Sequence, residues 1–213
     1  SDADVRTSLE KLAGLVGDYE RVVELYKARL PGAPHDEALE LRRRIAAFAN
    51  EQLSDTEEAI DQLNAILEAE PQDGEALRKL DALYRDLNRI DDLVSLYEHR
   101  LEHIEDEAAR VETLLGLARL EEELRGNHER AAKFYRELIE IEPAHAEALE
   151  GLDRLTGALG LHQEQASILE RRLDRLDLDD AARAELETRL GSLQAFELNQ
   201  AEEGVERLGR ALE

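Results

Sequence analysis

Between residues 73 and 87 the apolar side chains fall at Ala76, Leu77, Leu80, Leu83, Tyr84 and Leu87. Between 90 and 104 they fall at Ile90, Leu93, Val94, Tyr97, Leu101 and Ile104. Steps of three and four residues gather each set on one side of an α-helix and leave the charged positions on the other. No segment sustains apolar/polar alternation with β-branched enrichment, so strands are not expected. Asp36, Ser54, Asp73, Asp106 and Asp179 stand where a helix start needs a side-chain acceptor, and Pro71 and Pro143 stand where a helix must have ended. The pattern predicts about twelve helices joined by short loops, hence about six antiparallel hairpins.

The pattern is also written more than once. The stretch EPQDGEALRKLDALYRDLNRIDDLVSLYEHRLE from Glu70 returns as EPAHAEALEGLDRLTGALGLHQEQASILERRLD, with Pro71, Leu80 and Leu83 matching Pro143, Leu152 and Leu155, each 72 positions on. Leu9, Leu12, Leu25 and Tyr26 match Leu80, Leu83, Leu96 and Tyr97 at an offset of 71. AIDQLNAILEAEP from Ala59 matches AAKFYRELIEIEP from Ala131, and GVERLGRALE from Gly204 reads as a third version. The unit is therefore four helices in about 72 residues, and both ends of the chain fall inside it. Residues 1–213 read as one array and as a piece of a longer one. A lone hairpin cannot bury its stripe, so successive hairpins must stack.

Half a unit has the length of a tetratricopeptide repeat, and particular residues carry the resemblance. That family places a small residue at position eight, alanine at twenty, a large apolar residue at twenty-four and proline at thirty-two. Ala47, Ala59, Leu63 and Pro71 fill those places, as do Ala131, Tyr135 and Pro143, with Ala118 in the small slot if one residue is inserted before Asn127. In the alternate hairpins Glu10, Asp81 and Asp153 occupy the small slot. The resemblance implies an all-α, right-handed superhelical solenoid whose concave face binds peptides or helices. It also implies core positions for Tyr26, Tyr97 and Tyr135, whereas Phe48 and Phe196, on first helices, can serve either core or groove.

Composition narrows the function further. With 27 basic and 51 acidic residues the net charge is −24, which repels nucleic acid and anionic lipid. Residues 45–77 hold nine acids and neither Lys nor Arg, the pattern of a solvated face or of a patch for a basic partner. There is no cysteine, and no apolar run reaches the roughly 18 residues of a membrane span. Arginine outnumbers lysine 23 to 4, which points to a GC-rich bacterial genome. The compartment is left open.

Chemistry is hard to place. His99 and His103 stand four apart, a metal-ligand spacing, but lie opposite the Leu93–Tyr97–Leu101 stripe and read as exposed-face residues. His35, His128, His145 and His162 fall near helix starts and read as loop residues. The alternation of Asp177 and Asp179 lacks the glycine of a calcium loop and reads as a cap. Phosphate-binding glycine loops, nucleophile elbows and zinc-protease motifs are absent from the sequence, so no enzyme, metal or cofactor is expected.

The remaining candidates are basic. Carried over from the resemblance, the groove positions place Lys11, Arg44, Arg78, Arg119, Arg154 and Arg189 one per hairpin, with Arg78 and Arg119 in adjacent stretches of one groove. Such a ladder would grip an acidic or carboxylate-bearing peptide, provided its donors are not consumed by nearby acids such as Glu75, Glu112 and Glu150. The family's carboxylate clamp needs groove asparagines between its basic residues, and these are missing. The expectation is a noncatalytic protein-interaction scaffold; the alternative is an assembly subunit that stacks on itself through its ends.

The charge generates a first test. Repulsion among acids opposes compaction, and salt screens it over about 10 Å at 0.1 M. The melting temperature is expected to rise from low to moderate NaCl; a steady fall in a thermal melt would contradict this.

Overall fold

The computed structural model describes residues 2–212. Among the described residues there are twelve α-helices and no strand. They are α1 (Asp2–Val16), α2 (Tyr19–Arg29), α3 (His35–Glu51), α4 (Thr56–Ala69), α5 (Gly74–Asp86) and α6 (Ile90–His103). The remainder are α7 (Glu107–Arg119), α8 (His128–Ile141), α9 (Ala146–Ala158), α10 (His162–Arg175), α11 (Asp180–Phe196) and α12 (Ala201–Arg210). The chain divides into two compact units, Ser1–His103 and Ile104–Glu213. Within each unit every helix packs on the next in chain order.

Six hairpins close by one device. Each first helix ends in a residue with left-handed backbone: Gly17, Ser54, Asn88, Gly126, Gly160 or Asn199, at φ between 53° and 74°. The left-handed residue turns the chain out of the helix while its neighbours satisfy the last carbonyls, as in Arg89 N–H to Tyr84 O at 2.8 Å and Leu161 N–H to Thr156 O at 2.9 Å. Asn and Gly tolerate this conformation best. Ser54 therefore supplies the turn, and Asp55, not Ser54, caps α4 by accepting from Glu58 N–H. Asp36 likewise falls inside the first turn of α3, whose cap position holds Pro34. Asp73, Asp106 and Asp179 cap as expected, each accepting from the amide three residues on.

The inserted residue before Asn127 has a physical form. α7 runs into a π-helical turn, Leu120–Leu124, which accommodates one extra residue per turn without ending the helix. Ala118 thereby keeps its buried place, and Asn127 still caps α8 through Arg130 N–H. The turn buries Glu121 completely, held by Arg130 at 2.6 Å and Arg125 at 2.9 Å.

The core follows the stripes. Leu80 and Leu152 are both fully buried, as are Leu93, Leu114, Leu117, Leu138 and Leu149. Tyr26 and Tyr135 are buried, and Tyr97 is half-buried with its hydroxyl accepting from Arg85 Nη2 at 3.1 Å. Phe48 joins the core side: its ring lies 5.4 Å from that of Tyr19, against the cluster of Val22, Tyr26, Leu41 and Ile45. Phe196 remains 78% exposed.

Side-chain volume is balanced between helices. Tyr135 on α8 takes the place of Leu63 on α4, and the facing residue becomes Gly151 where the earlier unit has Lys79. A Cβ on Gly151 would stand 2.5 Å from the Tyr135 ring. Between α11 and α12 the backbones touch, since a Cβ on Gly204 would stand 2.7 Å from the Gly191 carbonyl oxygen.

Four substitutions test this packing. Leu80→Ala and Leu152→Ala should each cost about 2–5 kcal/mol, read as a lowered denaturation midpoint. Gly204→Ala gains helix propensity of roughly 1 kcal/mol yet should still destabilise α12, because backbone cannot yield as a side chain can. The solvent-facing Gly209→Ala, with open space around its Cβ, should stabilise instead; equal effects of the two glycine changes would refute the contact.

Candidate functional site

The first helices of the hairpins, α1, α3 and α5 in one unit and α7, α9 and α11 in the other, carry the basic residues singled out in the sequence. Four of the six are engaged by carboxylates. Arg44 holds Glu10 at 2.5 Å and Glu40 at 2.7 Å. Arg119 makes a two-point contact with Glu147, Nε and Nη2 each 2.5 Å from an oxygen. Arg154 donates to Glu122 at 2.8 Å, and Arg189 to Asp153 at 2.8 Å. The expectation of free donors at Arg119 is thus corrected: a planar guanidinium beside a carboxylate on the next first helix forms the fork-to-fork pair that geometry favours.

The partners differ from the acids nearest in sequence. Glu75 is taken by Lys79 at 2.8 Å, with Arg43 at 3.8 Å, and Glu150 by Arg172 at 3.3 Å. Instead, most pairs link one hairpin to the next, some 28 to 36 residues apart. Arg78 is exposed and, among the described residues, has no carboxylate partner; Lys11 is in the same position.

The acids in the small slot explain this wiring. Glu10 accepts the Tyr26 hydroxyl at 2.6 Å as well as Arg44. Burial first, and that bond second, push the Tyr26 hydroxyl above the usual tyrosine range. Asp81 takes Arg85 at 2.8 Å. Asp153, 2% exposed, gathers Arg172 at 2.6 Å, Arg189 at 2.8 Å and the Gln165 amide at 3.1 Å. A buried carboxylate is tolerable only with such compensation. The Glu10–Arg44 and Asp153–Arg189 bridges hold hairpins together, and sequence inspection missed them because their partners are about a hairpin apart.

Pockets border the first helices in both units. In the first unit, about 270 Å³ lies between α3, α4 and α5, bordered by Ala47, Asn50, Glu51, Lys79, Ala82 and Asp86. In the second unit, about 370 Å³ lies between α10 and α11, bordered by Leu169, Thr188, Arg189, Ser192, Leu193 and Phe196. The second brings together two of the predicted residues, Arg189 and Phe196. Only Arg189 Nη2 is engaged there among the described residues, so its other nitrogens remain available beside an apolar wall.

The histidines do not gather into a metal site, and among the described residues no cluster of three or more His, Asp or Glu has metal-binding geometry. His99 and His103 are half-buried, not exposed: their rings lie 4.5 Å apart and His103 Nδ1 bonds the His99 carbonyl at 2.8 Å. His35, His128 and His162 open helices, and His145 caps α9 by accepting from Ala148 N–H. Among the described residues no helix is long and apolar enough to cross a membrane.

Comparison with known proteins agrees with this geometry. The tetratricopeptide-repeat family model matches residues 112–145, the span of α7, the π turn and α8 through Pro143. No curated protein matches the chain. Among solved structures, MamA is 18% identical with a TM-score of 0.49, covering 83% of this chain and 91% of its own. YrrB, described as a TPR protein with an unusual peptide-binding site, is 15% identical with a TM-score of 0.49, covering 89% and 92%. A tetratricopeptide repeat protein from Parabacteroides merdae is 22% identical with a TM-score of 0.39, covering 98% and 77%. The match over residues 112–145 makes the α7–α8 hairpin a tetratricopeptide repeat, and the rest of the chain is an all-α series of hairpins that resembles it.

Proposed function

We propose that this protein is a noncatalytic scaffold that grips a peptide or helix of a protein partner along its first helices. Protein interaction is the general role of the fold; the finer reading concerns which chemistry is gripped. The observation that carries it is the α10/α11 pocket, where the spare Arg189 donors and the Thr188 and Ser192 side chains adjoin Leu169, Leu193 and the exposed Phe196. Such a site suits a ligand that presents a large apolar side chain next to a carboxylate. The apolar wall supplies contact area and the guanidinium fixes orientation.

The basic ladder enters this reading in reduced form. Arg44, Arg119 and Arg154 serve chiefly as bridges between hairpins, while Lys11 and Arg78 keep their charge free for a ligand in the first unit. Phe48 supports the core beneath that stretch. No cofactor or metal is needed for the role. The partner's carboxylates would also meet an acidic protein surface, so selectivity comes from the few cations that remain unpaired.

Peptide binding measured by fluorescence anisotropy tests the reading. Peptides pairing Leu or Phe with Asp or Glu should bind, and their amide counterparts should bind at least about tenfold more weakly, equivalent to 1.4 kcal/mol. Phe196→Ser lies at an exposed position and should weaken binding while leaving the thermal melt nearly unchanged. Affinity equal to wild type in this variant would overturn the pocket assignment.

A further inference from the structure

In the first unit a cavity of about 390 Å³ opens between the second helices of two successive hairpins, α4 and α6, with Tyr84 of α5 beside them. Buried Leu67, Tyr84 and Leu96 give it apolar walls, and Asn64, Glu68, Asp92 and His99 line the rest. Asn64 donates its amide to the Tyr84 hydroxyl at 3.2 Å, which leaves its Oδ1 without a partner among the described residues. Glu68 is exposed and equally unpaired, and one oxygen of Asp92 takes Arg89 at 2.7 Å. His99 Nε2 is buried and has no hydrogen-bond partner.

The internal repeat shows what belongs in this space. In the second unit, 72 positions on, Arg136 stands for Asn64, Glu164 for Asp92, Arg171 for His99 and Ile139 for Leu67. There guanidinium groups bridge α8 and α10. Arg136 makes a two-point contact with Glu164, at 2.6 Å and 3.0 Å, and Arg171 donates to the Ile139 carbonyl at 3.0 Å. That carbonyl needs a donor from outside its helix, because Pro143, four residues on, has no N–H; Pro71 leaves Leu67 in the same state. The first unit keeps the acceptors and lacks both arginines. Asn64 and His99 are shorter, and residues 45–77 hold neither Lys nor Arg.

We propose that the α4/α6 cavity binds an arginine side chain of a protein partner, whose guanidinium takes the place that Arg136 and Arg171 fill in the second unit. A guanidinium is planar and carries five N–H donors, which suits acceptors spread over two helices better than the point charge of a lysine does. The net charge of −24 draws basic segments to the surface, and the cavity then selects among cations. Built mainly on second helices, this site goes beyond the first-helix reading and does not depend on it.

The probe is a capped peptide with a single arginine among glycines and serines, compared with its lysine and citrulline counterparts. Titration at low salt, followed in proton–nitrogen correlation spectra, should shift amides of α4 and α6 around residues 64–68 and 92–99. The arginine peptide should bind about tenfold more tightly than the citrulline peptide, the worth of one charge-assisted hydrogen bond. It should also bind more tightly than the lysine peptide. Asn64→Arg supplies a guanidinium from within, as the second unit does, and should abolish the shifts. Glu68→Gln, at an exposed position, should weaken binding without lowering the thermal melt, and it decides the matter if Asn64→Arg does not fold. Equal binding of the lysine and arginine peptides, or shifts spread over the whole acidic surface, would reduce the effect to charge attraction and overturn the proposal. So would unchanged affinity in either folded variant, or no binding at all.

Discussion

Everything in this protein depends on one constraint: an apolar stripe on a single amphipathic helix cannot be buried by its hairpin partner alone. Each stripe must also meet the next helix along the chain. Within both units the helices accordingly pack in chain order. Leu80, Leu138 and Leu152 are fully buried on helices packed from both sides by their neighbours. Burial of a leucine side chain is worth about 2 kcal/mol, so stability accumulates along the chain instead of residing in one centre.

Packing of this kind specifies proximity but little register, and polar bridges supply what it lacks. Asp81 takes Arg85 of its own helix, whereas Glu10 and Asp153, where the family pattern has a small residue, each put a carboxylate at the seam between hairpins. Tyrosine hydroxyls and arginines then converge on it. Asp153, with two arginines and a glutamine amide, is the fullest case. Such a carboxylate is costly to bury and specific in what it accepts, so a displaced hairpin would lose its partners and leave a charge uncompensated. The same arrangement uses up most of the basic residues on first helices.

Irregularities mark where the repeat is adjusted. The π turn at Leu120–Leu124 absorbs one residue, keeping Ala118 and Asn127 in their places on either side. Gly151 makes room for Tyr135, and the Gly191–Gly204 contact lets α11 and α12 approach until their backbones touch. In each case local sequence departs from the repeat so that interhelix spacing does not.

The sequence by itself determined the twelve helices, the six hairpins, the four-helix period and the buried leucine stripe, because these follow from local spacing and from repetition. Three of the five proposed caps stood at the right residue, while Ser54 and Asp36 were displaced by one or two positions, since turn and cap compete for the same polar residues. Tertiary structure alone decided how the charges pair. Which arginine meets which acid depends on residues about a hairpin apart, and an acidic chain offers many partners of equal local merit. Hence Arg119 is bound while Arg78 has no carboxylate partner among the described residues, and Phe48 withdraws toward Tyr19 while Phe196 stays in solvent, although the sequence presents the members of each pair alike.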